Sequence, residues 1–174
     1  GWITDDESFY SYKPVLEKYG AKIIELAKTL QSSVAVFGEL FGDGIQKGVK
    51  YCRNNDFLAF DILNVTKNYF LNHTDFMLEC AFAEIPMVPI IGVHPFERAL
   101  KVDNAFNSLV PRILGFDDIM DNICEGTVIK PHDPLFMYNG ARIIFKSKND
   151  RFIESTKKER PKLVETMLSP EVQD

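Results

Sequence analysis

The chain has 174 residues, is 45% hydrophobic and carries a formal net charge of −5. That length fits one domain or part of one, and the apolar content suffices for a core. The negative balance argues against a protein that coats nucleic acid non-specifically, because such proteins are usually basic.

The start, Gly1-Trp2-Ile3, has no initiator Met, so it is expected not to be the native beginning; no signal peptide is read there. Thr4–Ser11 is mostly polar and acidic at Asp5, Asp6 and Glu7. From Lys13 to Leu30, Leu16, Tyr19, Ile23, Leu26 and Leu30 recur at helical spacing, with Pro14 acceptable in a first turn and Gly20 weakening the middle. This predicts an amphipathic helix that serves as packing material. Val34–Leu40 and Phe57–Leu63 have strand length and composition. Each holds an acid among apolar neighbours, Glu39 and Asp61. In a buried strand such a carboxylate must be paired, protonated or facing a ligand, because an unpaired buried charge costs several kcal/mol. Two on adjacent strands suggest the wall of a polar pocket. Between the strands, Gly42–Tyr51 reads GDGIQKGVKY, a loop rich in Gly and charge.

The stretch from Leu63 to Val110 says less. Asp75–Ile85 looks helical, with Thr74 as its cap; Val88–Val93 reads as a short strand; Pro95–Leu100 begins another helix. Val110–Met120 reads as irregular. Cys124–Lys130, CEGTVIK, is a strand with an acid at its head, and Ala141–Lys148, ARIIFKSK, is a strand ending in two lysines. Alternation places Lys146 and Lys148 on one face. Acids on some strands and paired lysines on another suit a nucleotide: lysines on phosphates, one carboxylate on the ribose hydroxyls, another on a metal. Residues 142–162 carry eight basic and three acidic side chains, so this segment is +5 and the rest −10. It can meet a phosphate backbone or form a solvated helix face. Arg151–Pro170 is charged and expected to be partly helical, as a tail or the start of an appendage.

Cys52, Cys80 and Cys124 are odd in number and widely spread, and His73, His94 and His132 are isolated, so neither set has zinc spacing. The cysteines read as reduced thiols of an intracellular protein, with the mitochondrion among the open compartments. No apolar run approaches the ~20 residues of a membrane span, so no membrane partner is expected.

FGEL at Phe37–Leu40, FLAFDI at Phe57–Ile62, EGTVIK at Glu125–Lys130 and FKSK at Phe145–Lys148 resemble, in order, the later motifs of the covalent nucleotidyltransferases, the ligase and capping-enzyme superfamily. With GIQKGVKY, the chain resembles the ATP-dependent RNA ligases typified by the phage enzyme that seals duplex-RNA nicks and by the kinetoplastid RNA-editing ligases. The similarity runs from about Glu7 to about Phe152, weaker between Leu63 and Ile123. It implies an α+β nucleotidyltransferase domain of ATP-grasp-like type, with mainly antiparallel sheets facing a nucleotide cleft and peripheral helices. Residues 1–152 would be that domain in part and 153–174 a charged tail.

The resemblance also implies a chemistry. A lysine attacks the α-phosphorus of ATP, the AMP moves to an RNA 5′-phosphate, and a 3′-hydroxyl then displaces it. Each step puts charge on phosphate oxygens, so cations aimed at them matter most. Lys146 and Lys148 would supply that charge, Glu125 would hold Mg²⁺, Glu39 would accept from the ribose hydroxyls, and Phe60 would stack on adenine. Lys130 is a further cofactor-binding candidate, and Asp61 a motif member without an assigned role. Taken singly, Phe60 could be a core ring, Glu39 an ion-pair partner and the lysines guards of a sheet edge.

One part of the pattern is missing. The family's nucleophile lies in Lys-x-Asp/His-Gly upstream of the FGE strand, and residues 1–38 contain no such sequence. An arginine that precedes this segment in the family is absent too. Lys101-Val102-Asp103-Asn104 is the nearest match, but has Asn for Gly and lies between the wrong motifs. The chain is therefore expected to be the C-terminal two-thirds or so of an adenylyltransferase domain, unable to form lysyl-AMP alone and dependent on self-association or a partner piece. The alternatives are a DNA ligase, a capping guanylyltransferase, or a non-catalytic nucleic-acid-binding module of the same fold.

Overall fold

A strand with one apolar and one mixed face needs a cover for the apolar face only, and this decides the first layer. In a computed structural model, which describes residues 9–42, 44–45, 48–52 and 54–152, β1 (Val34–Phe41) pairs antiparallel with β2 (Asp56–Asn64), and β2 with the two-residue β3 (Tyr69–Phe70). Both long strands fall where the sequence puts them. Val34 and Val36 of β1 pack towards a core of Leu26, Ala59, Ile62, Leu71, Phe76, Cys80 and Ile85. Alternation turns Phe37 and Glu39 to the opposite face.

The register is interrupted once. Phe37 pairs with Asp61 but Gly38 pairs with Ala59, so Phe60 is an extra residue in β2, a β-bulge. Gly38 faces this bulge because nothing larger fits. A Cβ there would lie 2.1 Å from the Phe57 ring and 2.5 Å from the Leu58 carbonyl oxygen.

Two helices cover the apolar face. α1 (Lys13–Thr29) has Pro14 in its first turn and buries Val15, Tyr19 and Leu26. Leu16, expected in the buried stripe, is exposed because Val15 takes that place. Lys18 Nζ and the Tyr19 hydroxyl reach Asp56, at the start of β2, over 2.8 and 2.7 Å. Burial of Asp56 pushes its pKa up, but hydrogen bonds from Lys18, Tyr19 and the Phe57 amide outweigh this, leaving it below the ordinary 3.8. α2 (His73–Phe82) supplies Phe76 and Cys80. Its cap is Asn72, which accepts from the Asp75 amide at 2.8 Å. Thr74, expected in that role, lies inside the first turn, where its hydroxyl meets His132 Nε2 at 2.9 Å.

The second sheet is an antiparallel pair, β4 (Gly126–Ile129) and β5 (Phe145–Lys148). Both are shorter than the sequence suggests. Upstream of β5, Arg142 makes only an isolated bridge to Phe136. Between the sheets lie two single turns, α3 (Phe96–Ala99), begun at Pro95 as expected, and α4 (Val110–Ile113), in a stretch expected to be irregular. Val88–Val93 is not a strand. Its neighbour Met87 makes one bridge to Ala59, the Val88 amide donates to Ala59 at 2.9 Å, and the run then turns outward, with Val93 74% exposed. Lys101–Asn104 is a loop after α3. The acidic residues 5–7 and the tail 153–174 lie outside the described residues. Among the described residues no helix is long and apolar enough to cross a membrane, and Cys80 and Cys124 are free thiols.

Two measurements check this layer. Gly38→Ala should lower unfolding free energy in urea by about 1–3 kcal/mol, the usual cost of overpacking. Because the Asp56 pKa is lowered in the fold, its contribution is present above about pH 4 and lost as pH falls through the folded value. Urea midpoints of Asp56→Asn and the unmodified chain should therefore differ at pH 7 and converge towards pH 2.

Candidate active site

The mixed face of the first sheet meets the β4–β5 hairpin at Asp61. This carboxylate is 6% exposed and holds two cations. Lys130 Nζ donates to Oδ1 at 2.8 Å, and Arg142 donates from Nη1 to Oδ2 at 2.8 Å and from Nη2 to Oδ1 at 3.3 Å. Lys130 lies just past the end of β4, and Arg142 on the return towards β5. Both stand over rings: Lys130 Nζ is 5.5 Å from the Phe76 centroid, and the Arg142 guanidinium 4.0 Å from that of Phe70. Phe70 in turn contacts Phe37, centroids 5.6 Å apart. Lys130 also donates to the backbone carbonyl of Phe60. The pairing that the sequence demands for a buried acid is therefore found at Asp61.

Glu39 is different. It lies on the open face and is exposed, as is Glu125 immediately before β4, so neither carries the burial cost expected for Glu39. One residue of the loop, Tyr51, feels the charge of both. Asn122 is buried and pairs both ways with the Lys50 backbone, accepting from the amide at 2.7 Å and donating to the carbonyl at 2.5 Å. This fixes Tyr51, which packs edge-on against Phe41 with centroids 5.4 Å apart. Burial raises the Tyr51 pKa, and the charges of Glu39 and Glu125 raise it further. Tyr51 thus stays protonated, and the two carboxylates whose charge it feels are 86 positions apart in the chain.

The lysine pair has the expected placement on one strand. Lys148 pairs with Gly126, next to Glu125, and Lys146 with Val128. Both are exposed, with no ion pair among the described residues. The two strands of the hairpin can come this close because position 126 is glycine: φ is +149°, and a Cβ would sit 2.1 Å from the Ser147 carbonyl oxygen. The Asn149 amide donates to the Glu125 carbonyl at 2.8 Å and fixes the head of β4. Phe60 is 37% exposed at the bulge, its ring turned away from the core.

Sequence reasoning assigned no function to Tyr51, Asn122 or Arg142. Tyr51 closes the quoted loop motif and Arg142 belongs to the basic segment, so both had a signal; an isolated Asn before CEGTVIK had none. No group of three or more His, Cys, Asp or Glu is arranged for a metal among the described residues. An exposed carboxylate such as that of Glu125 is the kind of donor Mg²⁺ takes, one or two of them beside phosphate oxygens and waters.

These features define a mixed domain of helices and antiparallel sheets, with exposed acids and lysines on two adjoining sheets. The model of the RNA ligase family matches residues 3–148, and the chain belongs to that family. The fold is similar to solved structures of Naegleria gruberi RNA ligase. A variant with ATP and Mn aligns with a TM-score of 0.60 at 22% identity, over 90% of this chain and 43% of that one. An apo variant gives 0.63 at 22% identity with the same coverage, and the protein with PPi 0.60 at 21% over 90% and 42%. The chain thus spans under half the length of these structures.

Removing one partner of a buried charge network leaves the others uncompensated. Asp61→Asn leaves two facing cations and should lower unfolding free energy by about 3–5 kcal/mol, measured by urea denaturation.

Proposed function

We propose that the protein carrying this chain is an ATP-dependent RNA ligase of the covalent nucleotidyltransferase superfamily. It would join RNA 5′-phosphate and 3′-hydroxyl ends through lysyl-AMP and RNA-adenylate intermediates. The observation that carries the reading is a division of labour among the motif residues. Asp61 and Lys130 are bonded to each other, whereas Glu39, Phe60, Glu125, Lys146 and Lys148 all present exposed side chains on the adjoining sheets. The exposed set has the chemistry of an adenine nucleotide: a ring for the base, a carboxylate for ribose hydroxyls, lysines for phosphates and a carboxylate for Mg²⁺. That the similar Naegleria ligase is described with ATP and Mn, and with PPi, supports the same ligand class.

In this reading Lys146 and Lys148 lower the barrier by meeting charge that develops on phosphate oxygens. Glu39 and Phe60 fix the nucleoside so that the α-phosphorus is presented in one orientation. Bound Mg²⁺ would neutralise phosphate charge, and Glu125 would orient it. The attacking lysine belongs to sequence outside this chain, since no Lys-x-Asp/His-Gly occurs within it.

Intact mass after incubation with ATP and Mg²⁺ tests this, on the chain alone and on the protein extended at its N-terminus. The extended form should gain one AMP through an acid-labile bond, and the chain alone none. Lys148→Ala and Glu125→Ala in the extended form should each slow labelling by on the order of 10²-fold, the typical cost of losing one electrostatic contact to the transition state. Absence of labelling in both forms would favour a binding module, and labelling of the chain alone would point to Lys101. Sealing of nicked RNA but not nicked DNA separates an RNA ligase from a DNA ligase.

A further inference from the structure

We propose that Lys130 is a positioning residue that holds the Phe60 ring in place, not a nucleotide contact. The base-binding role of Phe60 rests on the function proposed above. Three observations about the bulge lead here. Phe60 is the residue with no Cα partner in the β1–β2 register, the extra residue of the bulge. Ala59, just before it, is fixed by the segment after α2: its amide donates to the Pro86 carbonyl at 2.8 Å, and its carbonyl accepts from the Val88 amide. Asp61, just after it, is fixed by Lys130 and Arg142. At Phe60 itself, Lys130 Nζ donates to the carbonyl oxygen.

A bulge re-aims a side chain by bending the strand. Its direction is defined only while the extra peptide is held. The side chain of Lys130 is largely buried and stands over the Phe76 ring, so its ammonium group has a fixed position. It bonds the Phe60 carbonyl and the Asp61 carboxylate together, and so sets the peptide plane between those residues. Lys130 also directly follows β4, the strand that Glu125 directly precedes. The contact therefore sets the place of the base-stacking ring relative to the β4–β5 hairpin, which carries the metal and phosphate candidates. Arg142 holds the same carboxylate but, among the described residues, makes no side-chain hydrogen bond to the Phe60 carbonyl.

The test uses the full-length protein with 4-fluorophenylalanine at position 60, read by ¹⁹F NMR without nucleotide. A second label at Phe82, 80% exposed at the end of α2, reports on general disruption. Lys130→Met should shift or broaden the resonance at 60 and leave that at 82 unchanged. Arg142→Met should leave both in place. If Lys130→Met disturbs both labels, Lys130→Arg, which keeps the charge but changes the geometry, takes its place. An unmoved resonance at 60 in a folded Lys130 variant overturns the proposal.

Binding provides the second arm. Lys130→Met should weaken ATP on the order of tenfold, about the loss of an aromatic stack on a base, and leave inorganic triphosphate unaffected. Added to Phe60→Ala, it should cause no further loss, because a residue acting through Phe60 has nothing left to act on. Equal weakening of triphosphate would mean that Lys130 touches the phosphates and would overturn the positioning role. If the unmodified protein binds neither ligand, the ligase reading fails, while the fluorine spectra still decide whether Lys130 holds Phe60.

Discussion

One carboxylate joins the two sheets. Asp61 projects from the open face of β2 and receives Lys130 from the end of β4 and Arg142 from the return towards β5. Without it the hairpin would present two cations to a largely apolar surface of Phe37, Phe70 and Phe76. A buried ionic group of this kind adds little net stability relative to a well-packed apolar pair. Its use is directional. It specifies one docking of one sheet on the other, where apolar contacts alone would tolerate sliding.

That docking gives the exposed residues their common setting. Glu39 belongs to the first sheet, Glu125, Lys146 and Lys148 to the second, and Tyr51 to the loop that reaches from one to the other. Asn122 performs for this loop what Asp61 performs for the hairpin, with neutral hydrogen bonds in place of charge. Close approach of the backbones is provided by glycine at Gly38 and Gly126, where any side chain would collide with a neighbouring strand. Two letters of the quoted motifs, the Gly of FGEL and the Gly of EGTVIK, thus have a steric explanation independent of any ligand.

Much of the first sheet was legible in the sequence, because β1 and β2 are long apolar runs bounded by polar residues. α1 was legible from its period, although the buried stripe lies one residue earlier at its start. The acids were only half legible. Both Glu39 and Asp61 sit among apolar residues, yet one is exposed and the other buried. Composition cannot tell these apart, since the difference depends on what lands on the open face: the hairpin covers Asp61 and leaves Glu39 uncovered. Val88–Val93 has strand composition but no continuous partner, and a strand exists only where another backbone pairs with it. The bulge at Phe60 was invisible for a similar reason, as it belongs to the register of two strands. Lys146 and Lys148 were placed correctly on one face because alternation within a strand is local.

The Asp61 contacts also span far along the chain: Lys130 is 69 residues away and Arg142 is 81. The β1–β2 pair, by contrast, closes over a short loop. Loop-closure entropy and contact order make near pairings form first and distant ones late. The first sheet and its helices can therefore assemble while the hairpin is still being synthesised. During that interval Asp61 is a hydrated carboxylate on an open surface, compatible with water until its partners arrive. An apolar residue in its place would leave that surface sticky for the same period, and exposed apolar surface is what makes partly folded chains prone to aggregate.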